Sequence, residues 1–236
     1  MQTFLRQFPE IIAVLSEKKD GSMRLLPKPE DWLSEIIENR KQYFKKVGLS
    51  GKKVIAAHLV HGNRVAFVDR NSPDYILETD GLVTADSSVA LAITVADCYP
   101  VYFYDEKKGM IGLVHVGWSG AVKNIVADTI GLMKKEGSNP RDIAVSIGPG
   151  ICQKHYNIPP ERAALFENYP NVILKDGEQL YLDIKGIIYH QLKENGIVMI
   201  ADSGECTSCL HEKYFSYRRD KPKKIEAMVA VIGIKS

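Results

Sequence analysis

The chain has 236 residues, of which 45% are apolar, and it carries 31 basic and 29 acidic side chains. This length and apolar content suffice for one sizeable core, so we expect residues 1–236 to form a single domain. A net charge of +2 excludes the strong basic excess typical of proteins that bind nucleic acid or acidic membranes. The apolar stretches have strand length, and the start lacks a basic segment followed by an apolar core and cleavage site. We therefore expect a cytoplasmic protein without a membrane span.

The first half of the chain predicts one helix and several strands. Apolar residues recur at helical spacing over residues 29–47. KVIAAHLVHG predicts a strand that ends near His61, and RVAFVD predicts its hairpin partner across a Gly62-Asn63 turn. VALAITVAD (89–97) is apolar on both faces, which is typical of a central strand covered on both sides.

The second half continues this mixture of elements. PVYFYD and MIGLVHV predict two more strands, and from Ser119 the spacing predicts one helix that ends near Gly137. DIAVSIG, IVMIAD and IEAMVAVIGI predict strands. ERAALFENY and DIKGIIYHQLKENG predict helices, the second with Asp183 as N-cap. Because helices and strands do not alternate strictly, we expect a mixed α/β (α+β) fold in which β-sheets are layered with helices, in a four-layer αββα-type arrangement.

Three chemically active residues follow apolar strands. His61, Cys98 and His115 each lie at or just after the predicted carboxyl end of a strand, beside a turn residue. If the strands are neighbours, the side chains converge. Two imidazoles and a thiolate suit Zn²⁺ at roughly 2.0–2.3 Å and leave a fourth position open, as in catalytic sites, where zinc lowers the pKa of bound water to about 7. Asp97 is a candidate for orienting a ligand histidine or handling a proton.

Other interpretations of the same residues remain open. A buried cysteine often only packs as a small apolar side chain. Cys98 and His115 also fit a metal-free nucleophile and base. Cys206 and Cys209 form the chain's single C-x-x-C pair, for which we expect a structural role at Cys206 and no ligand role at Cys209. For Cys152 we expect a packed thiol.

Several segments together carry a family resemblance. Between about residues 54 and 220 the chain contains, in order, HLVHGNRV, TDGLVTADSSVALAITVADCYPVYFYD, GLVHVGWSG, SIGPGICQKHYNI, YLDI and ECTSCLHEKYFSYRRD. This combination resembles the laccase-domain (YfiH-like) family, whose members are described as polyphenol oxidases, purine nucleoside phosphorylases with adenosine deaminase activity, and a peptidoglycan editing factor. The resemblance implies a metal held by the histidines of VHG and HxGW and the cysteine of ADCxP, here His61, His115 and Cys98. A His₂Cys set suits zinc and copper, and we expect zinc because no motif supplies the axial methionine of a blue-copper site.

The resemblance also implies an enzyme that acts on purine nucleosides. One reaction is the phosphorolysis of inosine or adenosine, a glycosyl transfer to phosphate. The other is the hydrolytic deamination of adenosine, which zinc supports well. The expected partners are therefore a small purine nucleoside and phosphate, with no nucleic acid and no membrane, and the expected assembly is a monomer or small homo-oligomer.

The substrate site departs from the family pattern. Ser119 of GWSG stands where relatives carry arginine, which would be a bidentate partner for phosphate. Ser119 and Arg218 of FSYRRD are the candidate substrate-binding residues, and Cys98, His115 and Asp97 are the candidate catalytic residues. Two alternative functions are a Cys98/His115 hydrolase acting on cell-wall precursors and a metal-binding protein with weakened catalysis.

Overall fold

The computed structural model describes residues 2–25 and 33–235. Within these ranges the strands form three sheets. The first sheet contains β1 (Gln2–Thr3), β2 (Ile11–Leu15), β3 (Lys53–Ala57), β5 (Tyr75–Ile76), β7 (Val89–Val95) and β15 (Met228–Ile234). The second sheet contains β4 (Val65–Phe67), β6 (Gly81–Thr84), β8 (Tyr99–Asp105), β9 (Met110–Val116), β10 (Ile143–Ile147) and β14 (Met199–Asp202). The third contains β11 (Asn157–Ile158), β12 (Ile173–Asp176) and β13 (Gln179–Leu182).

The chain passes back and forth between the two large sheets, so neither sheet is built from one continuous segment. The first runs β1-β2-β15-β7-β3-β5, the second β14-β10-β8-β9-β6-β4, and the small sheet runs β11-β13-β12. The helices of the described ranges are α1 (Ser34–Lys46), α2 (Trp118–Val122), α3 (Ile125–Lys135), α4 (Pro160–Ala163), α5 (Ile184–Glu194) and α6 (Tyr217–Asp220).

Alternate side chains of the central strands face different layers. Leu91 of β7 packs in one buried cluster with Leu113 of β9, so the two large sheets lie face to face. The opposite face of the first sheet packs against Tyr43 of α1, and the opposite face of the second packs against Ile130 of α3 and Ile188 of α5. This arrangement confirms the predicted mixed α/β layers. Among the described residues, no helix has the length and apolar character needed to cross a membrane.

The predicted hairpin across Gly62-Asn63 is wrong. Strand β3 ends at Ala57 in the first sheet, whereas β4 lies in the second sheet and pairs in parallel with β6. Residues 58–64 therefore cross between the sheets and carry His61 with them. A two-residue turn signal describes only local geometry. Here the crossing loop is held by a buried side chain described below.

Two predicted helices also differ in extent. The helix expected over residues 29–47 is observed as Ser34–Lys46, and its predicted start at Pro29 lies outside the described residues. The helix expected from Ser119 to about Gly137 is divided into α2 and α3 by Asn124, which is left-handed with φ of 59°. Gln191 supplies hydrogen bonds at this break. Its Nε2 donates to the Ala121 carbonyl oxygen at 2.7 Å and to Asn124 Oδ1 at 3.0 Å.

The remaining helix predictions succeed to different degrees. ERAALFENY forms only the single turn of α4, followed by a 3-10 turn over Ala164–Phe166. The predicted N-cap of α5 is confirmed, since Asp183 Oδ1 accepts the Gly186 amide at 3.0 Å. Such a cap satisfies a backbone donor that the helix leaves unpaired.

Candidate metal centre

The structure brings His61, Cys98 and His115 together. One ligand atom from each lies within 4.8 Å of the other two. His115 belongs to β9, Cys98 lies between β7 and β8, and His61 lies on the 58–64 crossing loop. The His61 and His115 ring centroids are 4.9 Å apart, and the rings are nearly perpendicular at 88°. The three side chains therefore converge at the sheet edge as predicted, although His61 lies on a loop beyond the end of its strand.

Asp80 holds two of these three residues in place. Its buried carboxylate contacts His115 Nδ1 at 3.1 Å and accepts the backbone amides of Val60, His61 and Gly62 at 3.1, 2.9 and 2.8 Å. This contact leaves Nε2 as the free ring nitrogen of His115. Burial raises the pKa of Asp80, but the His115 hydrogen bond and the amide donors outweigh burial and lower it. Asp80 thus fixes the ring of one ligand and the loop of another.

The sequence analysis did not identify Asp80. Its signal is an aspartate directly before the fully buried strand β6, because a carboxylate at such a place needs hydrogen-bond partners. Asp97, the residue we expected to orient a ligand, has other contacts. Its carboxylate accepts Thr207 Oγ1 and the Arg218 amide, each at 2.6 Å. A direct catalytic role for Asp97 stays a prediction.

Cys98 and His115 form a charge-stabilised pair. Burial alone would raise the pKa of the Cys98 thiol, but His115 and His61 lower it to about 6. Burial alone would lower the pKa of His115, but Cys98 and Asp80 raise it to about 10. The metal-free pair is therefore thiolate and imidazolium at neutral pH. Because metal ligands must be deprotonated, a metal bound here would be held by neutral His115, and its binding would release a proton.

The lowered pKa makes Cys98 of the metal-free protein reactive at mildly acidic pH. We expect its alkylation by iodoacetamide to rise with pH around a midpoint near 6, because the thiolate is the reactive form. In His115→Ala the midpoint should move toward the ordinary cysteine value of about 8.5. Mass spectrometry of the Cys98 peptide measures both rates. An unchanged midpoint in the variant would contradict the pairing.

Gly117 leaves the space in which a metal would sit. A Cβ atom at this position would lie 2.8 Å from Cys98 Sγ, 3.7 Å from His61 Cδ2 and 3.8 Å from His115 Cε1. The backbone there is extended, with φ of −94° and ψ of 179°, so space rather than conformation requires the glycine. A hollow between two imidazoles and a thiolate fits a transition-metal ion with an open coordination position. His61, Cys98 and His115 are therefore the residues that would hold it.

The metal centre opens into a cavity of about 900 Å³. Besides the three candidate ligands, its walls include Trp118, Tyr156, Arg162 and Arg218. The Arg162 guanidinium carbon lies 4.3 Å from the Trp118 ring centroid, and that of Arg218 lies 4.8 Å from the Tyr156 ring centroid. Aromatic faces and fixed guanidinium groups thus border the same space as the metal donors.

The predicted substrate residues occupy different surroundings. Arg218 lines the cavity, and its Nη1 donates to Asn157 Oδ1 at 2.7 Å. Ser119 is not among the lining residues, and its hydroxyl donates to the His61 carbonyl oxygen at 2.7 Å. Arg162 was not identified from the sequence, because it belongs to no motif and reaches the cavity only through the position of α4. Arg219 pairs with Asp220 and donates to the Thr207 carbonyl, which is a structural anchor.

Fold and site together define a mixed α/β protein with a three-residue His/Cys centre at the wall of a cavity. The chain belongs to the family described as multi-copper polyphenol oxidoreductase laccase, whose family model matches residues 14–235. Several relatives carry a name that states an activity. The purine nucleoside phosphorylase of Deinococcus radiodurans is 34% identical over 201 residues, covering 84% of this chain and 77% of its own length. The purine nucleoside phosphorylase YlmD of Bacillus subtilis is 31% identical over 220 residues, covering 86% of this chain and 78% of its own length.

Solved structures agree with this assignment. The hypothetical protein YfiH of Bacillus licheniformis superimposes with a TM-score of 0.91 at 28% identity, over 98% of this chain and 95% of its own. YlmD of Geobacillus stearothermophilus gives 0.89 at 28% identity, over 97% and 93%. These matches confirm the predicted YfiH-like fold.

Proposed function

We propose that this protein is a zinc-dependent purine nucleoside phosphorylase whose metal centre is His61, Cys98 and His115. The observation that carries the proposal is the shared cavity, whose lining contains the three metal donors together with aromatic and arginine side chains, among them Trp118, Tyr156, Arg162 and Arg218. Relatives that cover most of this chain are named purine nucleoside phosphorylases. A purine nucleoside combines a flat aromatic base with a polar sugar, and phosphate adds negative charge, so the walls match both substrates in chemistry.

The aromatic residues are the proposed binding surface for the base. Trp118 and Tyr156 are each placed by a short element next to the metal donors, and each has an arginine against its ring. Burial and Cys98 raise the pKa of Tyr156, while Arg162 and Arg218 oppose the shift. The net rise keeps the phenol protonated at neutral pH, so Tyr156 can donate a hydrogen bond as well as pack against a base.

The arginines are the proposed binding site for phosphate. The family pattern that the sequence resembles has arginine where this chain has Ser119, and the Ser119 hydroxyl donates to the His61 carbonyl oxygen. Arg162 stacks on Trp118, the residue directly before Ser119, so a guanidinium is present at the cavity wall despite the substitution. Arg218 provides a second. Guanidinium groups bind phosphate oxygens bidentately, which gives orientation as well as charge.

In phosphorolysis the bond between the ribose anomeric carbon and the purine nitrogen breaks. Its electron pair leaves with the purine, a phosphate oxygen forms the new bond to the anomeric carbon, and the proton lost by hydrogen phosphate passes to the base. Arg162 and Arg218 hold the phosphate near the sugar, which lowers the entropic part of the barrier. Zinc bound at the centre supplies Lewis acidity toward a substrate oxygen or nitrogen atom.

Zinc is proposed in preference to copper on the donor chemistry. The family description refers to copper. In the part of the chain that the structure describes, however, no methionine lines the cavity that could complete a blue-copper site. A closed-shell zinc ion accepts a His₂Cys set with one open position.

Adenosine deamination in the same cavity, and a cytoplasmic location, belong to the same proposal. Deamination replaces the amino group at purine C6 by oxygen from water and releases ammonia, so it differs from phosphorolysis in needing no phosphate. A metal-free hydrolase is a second candidate because the Cys98 thiol has a pKa of about 6 beside His115. That candidate predicts full activity after metal removal.

The test is a product analysis with adenosine and inosine. Purified protein should release adenine and hypoxanthine together with ribose 1-phosphate when phosphate is present, and a chelator should abolish this release. Ammonia release from adenosine without phosphate would show the deaminase reaction. Nucleoside cleavage that needs no phosphate and survives complete metal removal would replace the proposal with the cysteine hydrolase, and phosphorolysis that survives it would rule out the metal dependence.

Arg162→Ala should weaken phosphate binding more than nucleoside binding. We expect the KM for phosphate to rise roughly 10- to 100-fold, which corresponds to losing one charge-assisted contact of about 1.5–3 kcal/mol. The KM for inosine should change by less than about threefold, since loss of a positioning charge acts on the anion. Steady-state kinetics with each substrate varied in turn measures the two effects.

Arg141→Ala is the matched control, because Arg141 is exposed and does not line the cavity. It should leave both KM values unchanged. An equal rise of both KM values in Arg162→Ala would instead indicate that Arg162 supports the wall structure.

A further inference from the structure

A second cluster of metal-binding side chains lies in the described structure, formed by Cys152, His155, Cys206 and Cys209. Two separate segments supply it. Cys152 directly precedes a 3-10 turn over Gln153–His155, of which His155 is the last residue, whereas Cys206 and Cys209 bracket the turn of the C-x-x-C pair. An isolated parallel bridge between Gly150 and Cys206 joins the segments. The C-x-x-C pair is therefore not alone, contrary to what its sequence surroundings indicated.

The distances have the size expected for four ligands around one ion. Nδ1 of His155 lies 3.4 Å from Cys152 Sγ, 3.8 Å from Cys206 Sγ and 3.6 Å from Cys209 Sγ. All four ligand atoms lie within 4.8 Å of one another. In a tetrahedral zinc site with Zn–S of about 2.3 Å and Zn–N of about 2.0 Å, sulfur and nitrogen are about 3.5 Å apart. Each of the three measured distances lies close to this value.

We propose that Cys152, His155, Cys206 and Cys209 bind a second zinc ion in a closed structural site. Cys₃His is an established ligand set for structural zinc, and four protein donors leave no open position for substrate. The backbone also prepares the site, because the Cys152 amide donates to Cys206 Sγ at 3.2 Å. Amide donors of this kind stabilise a thiolate and orient it toward a metal. Cys206 is buried and Cys209 is exposed, so an ion can enter from the Cys209 side.

The proposed site connects to the catalytic cavity through Thr207, which lies inside the C-x-x-C turn. Its Oγ1 donates to Asp97 Oδ1 at 2.6 Å, and its carbonyl accepts Arg219 Nη1 at 2.8 Å. The other Asp97 oxygen accepts the amide of Arg218, whose side chain lines the cavity. A zinc ion across Cys206 and Cys209 thus fixes the loop that positions Arg218 and the residue next to Cys98.

Metal counting on variants separates the two sites. Wild-type protein purified from zinc-supplemented cells should contain about two zinc ions per chain by atomic emission spectrometry. His61→Ala/Cys98→Ser should retain about one ion, and Cys209→Ser should also retain about one. Cobalt substitution of His61→Ala/Cys98→Ser should give a thiolate-to-cobalt charge-transfer band with the intensity of three thiolates. This band reports the Cys₃His ligand set directly.

Two controls keep the result interpretable. Cys209 is exposed, so its replacement by serine should not impair folding, and His211→Ala, an exposed histidine two positions away, should retain about two ions. Zinc-free His61→Ala/Cys98→Ser with free thiols, or with a disulfide among Cys152, Cys206 and Cys209, would overturn the second site. A wild-type protein with one ion that disappears in Cys98→Ser would do the same. The first outcome leaves the phosphorylase proposal untouched, and the second would support its metal centre while removing the second site, so the two proposals fail separately.

Discussion

Asp80→Ala should destabilise the metal-free protein by roughly 3 kcal/mol and weaken zinc binding by roughly 10- to 100-fold. The variant removes the acceptor of three loop amides and the partner of His115 Nδ1. Each donor then loses its hydrogen bond, and the amides of the crossing loop regain only those that water can supply. Urea unfolding gives the stability, and competition with a chromogenic chelator gives the zinc affinity.

Conservative and distant variants define what Asp80 contributes. Asp80→Asn keeps one acceptor oxygen and should show a smaller loss of stability, but its loss of charge should still weaken zinc binding. Asp69→Ala removes an aspartate that caps the Asn71 and Ser72 amides on the exposed surface, and should cost less than about 1 kcal/mol. Equal losses of stability in Asp80→Ala and Asp69→Ala would contradict the account of the crossing loop.

The stability difference between wild type and Asp80→Ala should depend on pH. The pKa of Asp80 is lowered in the folded protein, so the carboxylate is more stable there than in the unfolded chain. Its contribution is complete above the unfolded pKa of about 3.9 and declines as the pH falls through the lower folded pKa. Urea unfolding at a series of pH values below neutrality should show this decline.

Gly117→Ala should abolish metal binding at the centre formed by His61, Cys98 and His115, in a protein that still folds. The added Cβ would lie 2.8 Å from Cys98 Sγ, inside the hollow between the donors. Overpacking of this kind costs about 1–3 kcal/mol, and the φ of −94° permits alanine, so no backbone strain is added. We expect zinc affinity to fall at least ~100-fold, which is about 2.7 kcal/mol, and nucleoside turnover to fall with it.

Gly131→Ala is the matched control for this substitution. Gly131 lies within α3, and a Cβ there would meet nothing within 4 Å. Alanine should raise helix stability by up to about 1 kcal/mol and leave zinc binding unchanged. Full zinc occupancy in Gly117→Ala would mean that the three donors do not converge as the structure shows.

Strand periodicity identifies the layered fold because central strands must be apolar on both faces. The same strands place Cys98 and His115, so two of the three candidate ligands follow from local pattern alone. His61 was predicted as a ligand because it was expected at the end of a strand, but the strand ends before it. Its loop leaves the first sheet at Ala57 and is held by Asp80, which is distant in sequence and invisible to periodicity.

Residues that meet only through tertiary structure escaped prediction. Arg162 reaches the cavity because α4 lies between β11 and β12 of the small third sheet, and no motif marks it. His155 joins Cys206 and Cys209 through a single bridge between two loops. The break between α2 and α3 is stabilised by Gln191 of α5. The apolar spacing of residues 119–137 contains no information about this distant side chain, so it predicted one continuous helix.

Product analysis of zinc-loaded wild type beside Cys98→Ser tests the central claim most directly. Inosine is supplied with and without phosphate, and hypoxanthine and ribose 1-phosphate are quantified by chromatography. We expect phosphate-dependent formation of both products by wild type and a loss on the order of 10³-fold in Cys98→Ser, which lacks a metal ligand. Equal formation of both products by the two proteins, or no product from wild type with phosphate, would contradict a metal-dependent phosphorylase at this centre.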